Sequence, residues 1–191
     1  CPLKNELVNN SWNINNAKKV ILFVGDLSRE LNNDGIIRFY NEVWPLLNIN
    51  KQYVLKIVGG NPSAKLLEIS NKDKRVVLTG YVEDLTKVYE EARVFIAPLW
   101  VGGGIIIKVL DALTYGLPTV CTSYGNQGIG AQDGVDLLIG DDPKLFATQI
   151  SKLISNIELS KGLSSSGRNF ILNNFNFDRD LRDIYSSINI N

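Results

Sequence analysis

Six short runs in this chain are nearly apolar throughout, rather than apolar at every second position: Val20–Val24, Tyr53–Val58, Val76–Leu78, Val94–Ala97, Pro118–Thr122 and Leu137–Ile139. They are rich in β-branched residues and are mostly bounded by Gly, Pro or Asp, so each reads as a strand. A strand with one wet face alternates apolar and polar side chains. One that is apolar on both faces must be covered on both, which is the condition of a parallel sheet. Between the runs lie amphipathic stretches predicted to be helical: Asp34–Leu47, Ser63–Ser70, Leu85–Ala92, Ile106–Tyr115 and Lys144–Ile154. Strand and helix in alternation predict an α/β domain with a doubly wound parallel sheet of about six strands and helices on both faces. After Asp141 the strands stop. Lys144–Ile154, Leu159–Asn173 and Arg179–Ile188, with start signals at Asp142-Pro143 and Phe177-Asp178, predict a helical C-terminus. Residues 1–18, rich in Asn, read as a polar lead-in or linker, and residues 19–191 as one domain without internal repeats.

Composition excludes several classes of function. Lys plus Arg and Asp plus Glu each number 20, so nothing electrostatic favours nucleic acid or an acidic membrane surface. There is no His, which removes the commonest general base and metal ligand. The only thiols are Cys1 and Cys121, far apart in sequence. That argues against a structural disulfide or a zinc site and for a reducing cytoplasm. The chain also has no Met, so it is expected to be a fragment of something longer.

The stretch with most chemical content follows the fourth run. Ala97-Pro98-Leu99 leads to Gly102-Gly103-Gly104 and then to Ile105-Ile106-Ile107-Lys108-Val109-Leu110-Asp111. Glycines where a strand hands over to a helix let backbone N–H groups approach a ligand closely, and a helix start favours anions. Lys108 and Asp111, three residues apart, share a helix face. A cation and a carboxylate beside such a start suit a ligand with phosphates and sugar hydroxyls. A tight strand–loop–helix turn with Lys108 solvated is the alternative. Gly25-Asp26-Leu27-Ser28, Gly59-Gly60-Asn61-Pro62, Gly80-Tyr81-Val82 and the segment from Ser123 to Gly128 also follow predicted strands. Ligands of an open parallel sheet sit at such strand ends, at the point where strand order reverses.

Taken in order, these pieces resemble the C-terminal, nucleotide-sugar-binding half of retaining glycosyltransferases of the two-Rossmann-domain type, the group 1 family. The likeness covers roughly residues 19–185. It rests on Phe23-Val24-Gly25 with Asn32-Asn33-Asp34-Gly35, on Leu55-Lys56-Ile57-Val58-Gly59, and on Val77-Leu78-Thr79-Gly80-Tyr81-Val82-Glu83-Asp84-Leu85. It continues through the glycine loop with Lys108-Val109-Leu110-Asp111-Ala112, Gly116-Leu117-Pro118-Thr119-Val120 and Gly125-Asn126-Gln127-Gly128-Ile129. The resemblance implies a Rossmann-like donor domain that helps move a hexose from a nucleotide diphosphate sugar to an acceptor with retention. It implies no cofactor or metal, and a preceding acceptor domain without which this fragment is inactive. It further implies work in the cytoplasm or at the inner membrane face, with any membrane contact made through the preceding part.

By the same resemblance Asp111 takes the ribose hydroxyls, and the backbone of Gly103, Gly104 and Ile105 holds the diphosphate. Lys108 neutralises the diphosphate and carries the catalytic role, while Tyr81 and Val82 meet the base. Gly25 and Arg29 complete the set. The chain departs from the family where Asp111 replaces a glutamate, Gly103 and Gln127 stand in place of two further glutamates, and Asp26 and Leu31 occupy the places of a basic pair. A non-catalytic nucleotide-binding or interaction module, a decayed donor domain, is therefore the alternative.

Overall fold

Strand β1 (Val20–Val24) lies near the centre of a six-stranded sheet, flanked by β2 (Val54–Val58) and β4 (Val94–Ala97). With β3 (Val76–Leu78), β5 (Thr119–Cys121) and β6 (Leu138–Ile139), the order across the sheet is β3-β2-β1-β4-β5-β6. Every pairing is parallel. The computed structural model describes residues 12–47, 52–102 and 104–175. Three of the six predicted strands have the predicted limits, and the other three are one residue shorter at one or both ends.

The connections are α1 (Glu30–Arg38), α2 (Ala64–Lys72), α3 (Thr86–Glu91), α4 (Ile107–Tyr115), the short α5 (Ser123–Asn126), α6 (Pro143–Ser155) and α7 (Ile157–Asn174). Alternate residues of the strands inside the sheet feed opposite cores, while in the edge strand β3 only Val76 and Leu78 pack inward and Val77 is exposed. Ile21 and Phe23 point into one with Ile36, Leu66 and Phe146, from α1, α2 and α6. Val20 and Leu22 point into the other with Tyr89, Val109 and Ile171, from α3, α4 and α7. The doubly wound architecture is thus the one expected, and the sheet order reverses between β1 and β4.

The helix starts differ more than the strands. The first helix is predicted from Asp34 but begins at Glu30 and passes after Arg38 into a π turn (Phe39–Val43) and a 3₁₀ turn (Trp44–Leu46). Arg29, at the cap, makes no side-chain cap bond, so no start signal stands there. Ser63 and Asp142 do cap α2 and α6, where prediction and structure agree to within one residue at the start. α5 is a single turn capped by Thr122 within a segment predicted as loop. The predicted helix Arg179–Ile188 lies outside the described residues. Of the lead-in, residues 12–18 are described, and Trp12 is buried. Its indole donates to the Ala92 carbonyl at 2.8 Å and its N–H to that of Tyr115 at 2.8 Å, so this part packs on the domain.

Candidate functional site

The strand ends on the β1–β2–β3 side are stitched backbone to backbone. Gly25 donates to the Val58 carbonyl at 2.9 Å, Leu27 to that of Gly60 at 3.1 Å and Gly59 to that of Gly80 at 2.9 Å. The approach is close enough that a Cβ at position 59 would overlap the Gly25 carbonyl oxygen. The ends enclose a cavity of about 610 Å³ whose lining includes Gly25, Asp26, Gly60, Asn61, Tyr81 and Val82. Asn61 takes a left-handed φ of 58°, a conformation its short polar side chain tolerates. Tyr81 stands at the rim, 79% exposed.

A second cavity, of about 260 Å³, opens on the other side of the same turn. Gly25, Asp26, Arg29, Asn32, Ile105 and Lys108 are among its lining residues. Gly25 and Asp26 belong to both walls, so the two hollows form one crevice at the switch point between β1 and β4. α4 opens onto the smaller hollow, and its cap, Ile106, supplies no side-chain acceptor. The N-terminal peptide dipoles of that helix are therefore aimed at the cavity.

Lys108, in the first turn of α4, is less exposed than a surface lysine. Its ammonium donates to Asn32 Oδ1 and lies 4.3 Å from the centre of the fully buried Phe23 ring. Burial pulls its pKa down to about 7, and the Arg29 guanidinium adds to the shift. The group is thus poised to exchange a proton near neutrality. Asp26 behaves oppositely. The Ser28 hydroxyl and N–H donate to its Oδ1 at 2.7 and 3.0 Å, holding the carboxyl below its usual range. One cavity wall therefore carries a fixed anion in Asp26, the guanidinium of Arg29 and a titratable cation in Lys108.

The structure brings Gly25, Arg29, Ile105 and Lys108 to the smaller hollow, and Gly25, Tyr81 and Val82 to the larger. Gly104, at φ 81°, belongs to the loop leading into α4. A Cβ on Gly128 would come within 2.5 Å of the Gly104 carbonyl, so the turn after α5 presses on that loop. Gly103 lies outside the described residues. Asp111 is half-buried one turn beyond Lys108 and lines neither hollow. Its charge adds to burial in raising the phenol of Tyr89, so it lies toward that ring.

Sequence reasoning missed Asn32, 6% exposed and shared between Lys108 and the Asp26 carbonyl. The signal was available: position 32 precedes the buried Ile36, Phe39 and Val43 at spacings of four, seven and eleven, on the core-facing stripe. Among the described residues no group of three or more His, Cys, Asp or Glu could hold a metal ion, and no helix is long and apolar enough to cross a membrane.

Residues 18–156 match the family described as "Glycosyl transferases group 1". The chain belongs to that family. It is 29% identical over 176 residues to an uncharacterized 44.6 kDa protein in the cps region of Klebsiella pneumoniae, covering 88% of this chain and 44% of that protein. Over 170 residues it is 25% identical to an uncharacterized glycosyltransferase of Methanocaldococcus jannaschii, covering 85% of this chain and 43% of the relative. The chain thus spans less than half the length of these curated relatives. The fold is also that of the S. aureus protein TarM, in a crystal structure of a point mutant with Fondaparinux, alpha-GlcNAc-glycerol and UDP. The TM-score is 0.72 at 18% identity, over 90% of this chain and 36% of that one.

Proposed function

We propose that this chain is the donor-binding part of a retaining glycosyltransferase that moves a hexose from a nucleotide diphosphate sugar. The observation that carries this is the crevice itself: a glycine-walled hollow runs across Gly25–Asp26 into one edged by Lys108, Arg29 and the start of α4. A base against Tyr81 and Val82 in the larger hollow leaves the phosphates facing Lys108. The UDP bound to TarM, a protein of the same fold, supports the choice of ligand class.

In this reading negative charge grows on the diphosphate as the glycosidic bond breaks. Lys108, Arg29 and the dipole of α4 offset that charge from fixed positions. A phosphate beside Lys108 draws a proton onto the neutral fraction of its amine, so charge is added at the site as the ligand arrives. Backbone N–H groups around Gly103, Gly104 and Ile105 complete the cradle, and Asp111, one helix turn beyond Lys108 and outside the lining of both hollows, is assigned the ribose hydroxyls by the family resemblance. The cations are side chains, and no metal takes part. The acceptor site is assigned to a preceding domain.

Calorimetric titration of the chain with UDP and with uridine tests the binding step. UDP is expected to bind the more tightly, with net proton uptake seen when the titration is repeated in buffers of different ionisation enthalpy. Equal affinities would remove the phosphate subsite. Residues 1–191 alone are expected to transfer no sugar, and turnover by them would disprove the placement of the acceptor site. The fixed anion of Asp26 favours a second reading, a binding module without catalysis, in which the ligand binds weakly and no partner domain restores transfer.

A further inference from the structure

Asn32 uses both ends of its amide. Nδ2 donates to the Asp26 carbonyl oxygen at 2.8 Å, and Oδ1 accepts from Lys108 Nζ. This orientation follows from chemistry: an ammonium only donates and a carbonyl only accepts, so a flipped amide would break both bonds. On its other sides the ammonium meets the Phe23 ring and Gly25, where an added Cβ would come within 2.7 Å of Nζ. The charged residues sharing the cavity wall with Lys108 are Arg29 and Asp26. Arg29 repels the ammonium, and the carboxylate of Asp26 accepts from Ser28.

We propose that Asn32 is a positioning residue of the phosphate subsite, holding the Lys108 ammonium in register with the backbone at the end of β1. The proposal rests on the reading of Lys108 as a phosphate ligand given above. A lysine side chain gives up rotamer freedom when it engages a ligand, and a preplaced one has already given it up. The neutrality of Asn is part of the device. An aspartate would hold the ammonium equally well but would cancel the charge that the phosphate is to meet. Asn32 never touches the ligand in this scheme; it acts through Lys108.

The test compares the parent chain with Asn32→Ala, Asn32→Asp, Lys108→Ala and the Asn32→Ala/Lys108→Ala double variant, each titrated with UDP and with uridine. Asn32→Ala is expected to weaken UDP about tenfold while leaving uridine within about twofold. The double variant should bind UDP no more weakly than Lys108→Ala alone, because both changes remove one device. Independent losses that add, or equal losses on UDP and uridine, would overturn the positioning role. NMR of ε-labelled lysine provides a readout without ligand: Asn32→Asp should move the Lys108 titration to higher pH than in the parent. A Lys108 titration unmoved by Asn32→Asp would overturn the contact itself, even if Asn32→Ala does not fold. A parent that binds UDP no better than uridine would instead overturn the functional reading. The two failures are therefore distinguishable.

Discussion

The two hollows of the crevice are built on opposite principles. The larger is walled mainly by backbone and uncharged side chains: Gly25, Gly59 and Gly60 close the strand ends through N–H···O bonds between adjacent loops, and Asp26 is the one charged residue in the lining. The smaller is made of charge, with Lys108, Arg29 and Asp26 in one wall. Backbone walls select by shape and are insensitive to pH and salt. A wall of charged groups, one of them titrating at about 7, responds to both. A ligand spanning the two is gripped at one end by geometry and at the other by electrostatics, and substitutions can separate the contributions.

Gly59→Ala should have the largest effect. Its Cβ would overlap the Gly25 carbonyl, which has no flexible atom to move aside. A loss of about 3 kcal/mol of stability is expected, with uridine and UDP affinity falling together. Denaturant unfolding with parallel titrations measures this. A stable Gly59→Ala chain that still binds uridine would show that the larger hollow does not depend on close approach of the strand ends.

Asp111→Asn comes next. The ribose role requires a charged acceptor, so both uridine and UDP should weaken, by about 1–3 kcal/mol, with stability nearly unchanged. Unaltered titrations would leave Asp111 to its place beside Tyr89 and remove it from the site. Lys108→Met should weaken UDP by about 1–2 kcal/mol and uridine hardly at all. It carries a stability signature as well. Folded Lys108 releases its proton near 7, whereas in the unfolded chain it keeps it to the ordinary lysine range. Between those values the unfolded chain binds more protons, so the parent gains stability as pH rises through that window. Lys108→Met should therefore raise the melting temperature most at about pH 6, with the gain fading toward about pH 10. A gain that does not change with pH would mean that Lys108 is ordinarily solvated.

The difference between the two hollows also explains what sequence alone could convey. The strands that build the backbone-walled end were legible because Val20–Val24 and Val76–Leu78 are apolar on both faces, a pattern with few alternatives. The glycine-bearing loops after them followed from topology. The charged end was less legible. Lys108 and Arg29 could be named, but the burial that brings Lys108 to about 7 is tertiary: the ammonium sits against Phe23 and Asn32, which are 85 and 76 positions away in the chain. Asn32 and Asn33 fell ahead of the helix predicted from Asp34, because polar residues with a local side-chain alternative favour caps and turns over helix interiors. Tertiary contact with Lys108 and the Asp26 carbonyl makes position 32 helical and buried instead. Asp111 shows the converse: its spacing from Lys108 was right, yet sharing a helix face did not bring it to the cavity lining.

Asp26→Asn should give the smallest effect, and it bears most directly on the contrast between the hollows. Asp26 belongs to both walls, and its carboxylate is exposed and held ionised by Ser28. A fixed negative charge there opposes a diphosphate at every pH above the carboxylate range. The amide keeps an oxygen to accept from the Ser28 N–H and hydroxyl, so the turn is preserved while the charge is lost. UDP affinity should rise about two- to threefold at low salt, and the gain should shrink as ionic strength screens the exposed charge. Uridine, carrying no phosphate, should be indifferent. If Asp26→Asn instead weakens uridine and UDP alike, the carboxylate is a ligand for hydroxyls rather than an electrostatic opponent. The boundary between the shape-reading and charge-reading ends would then have to be moved to the far side of Gly25.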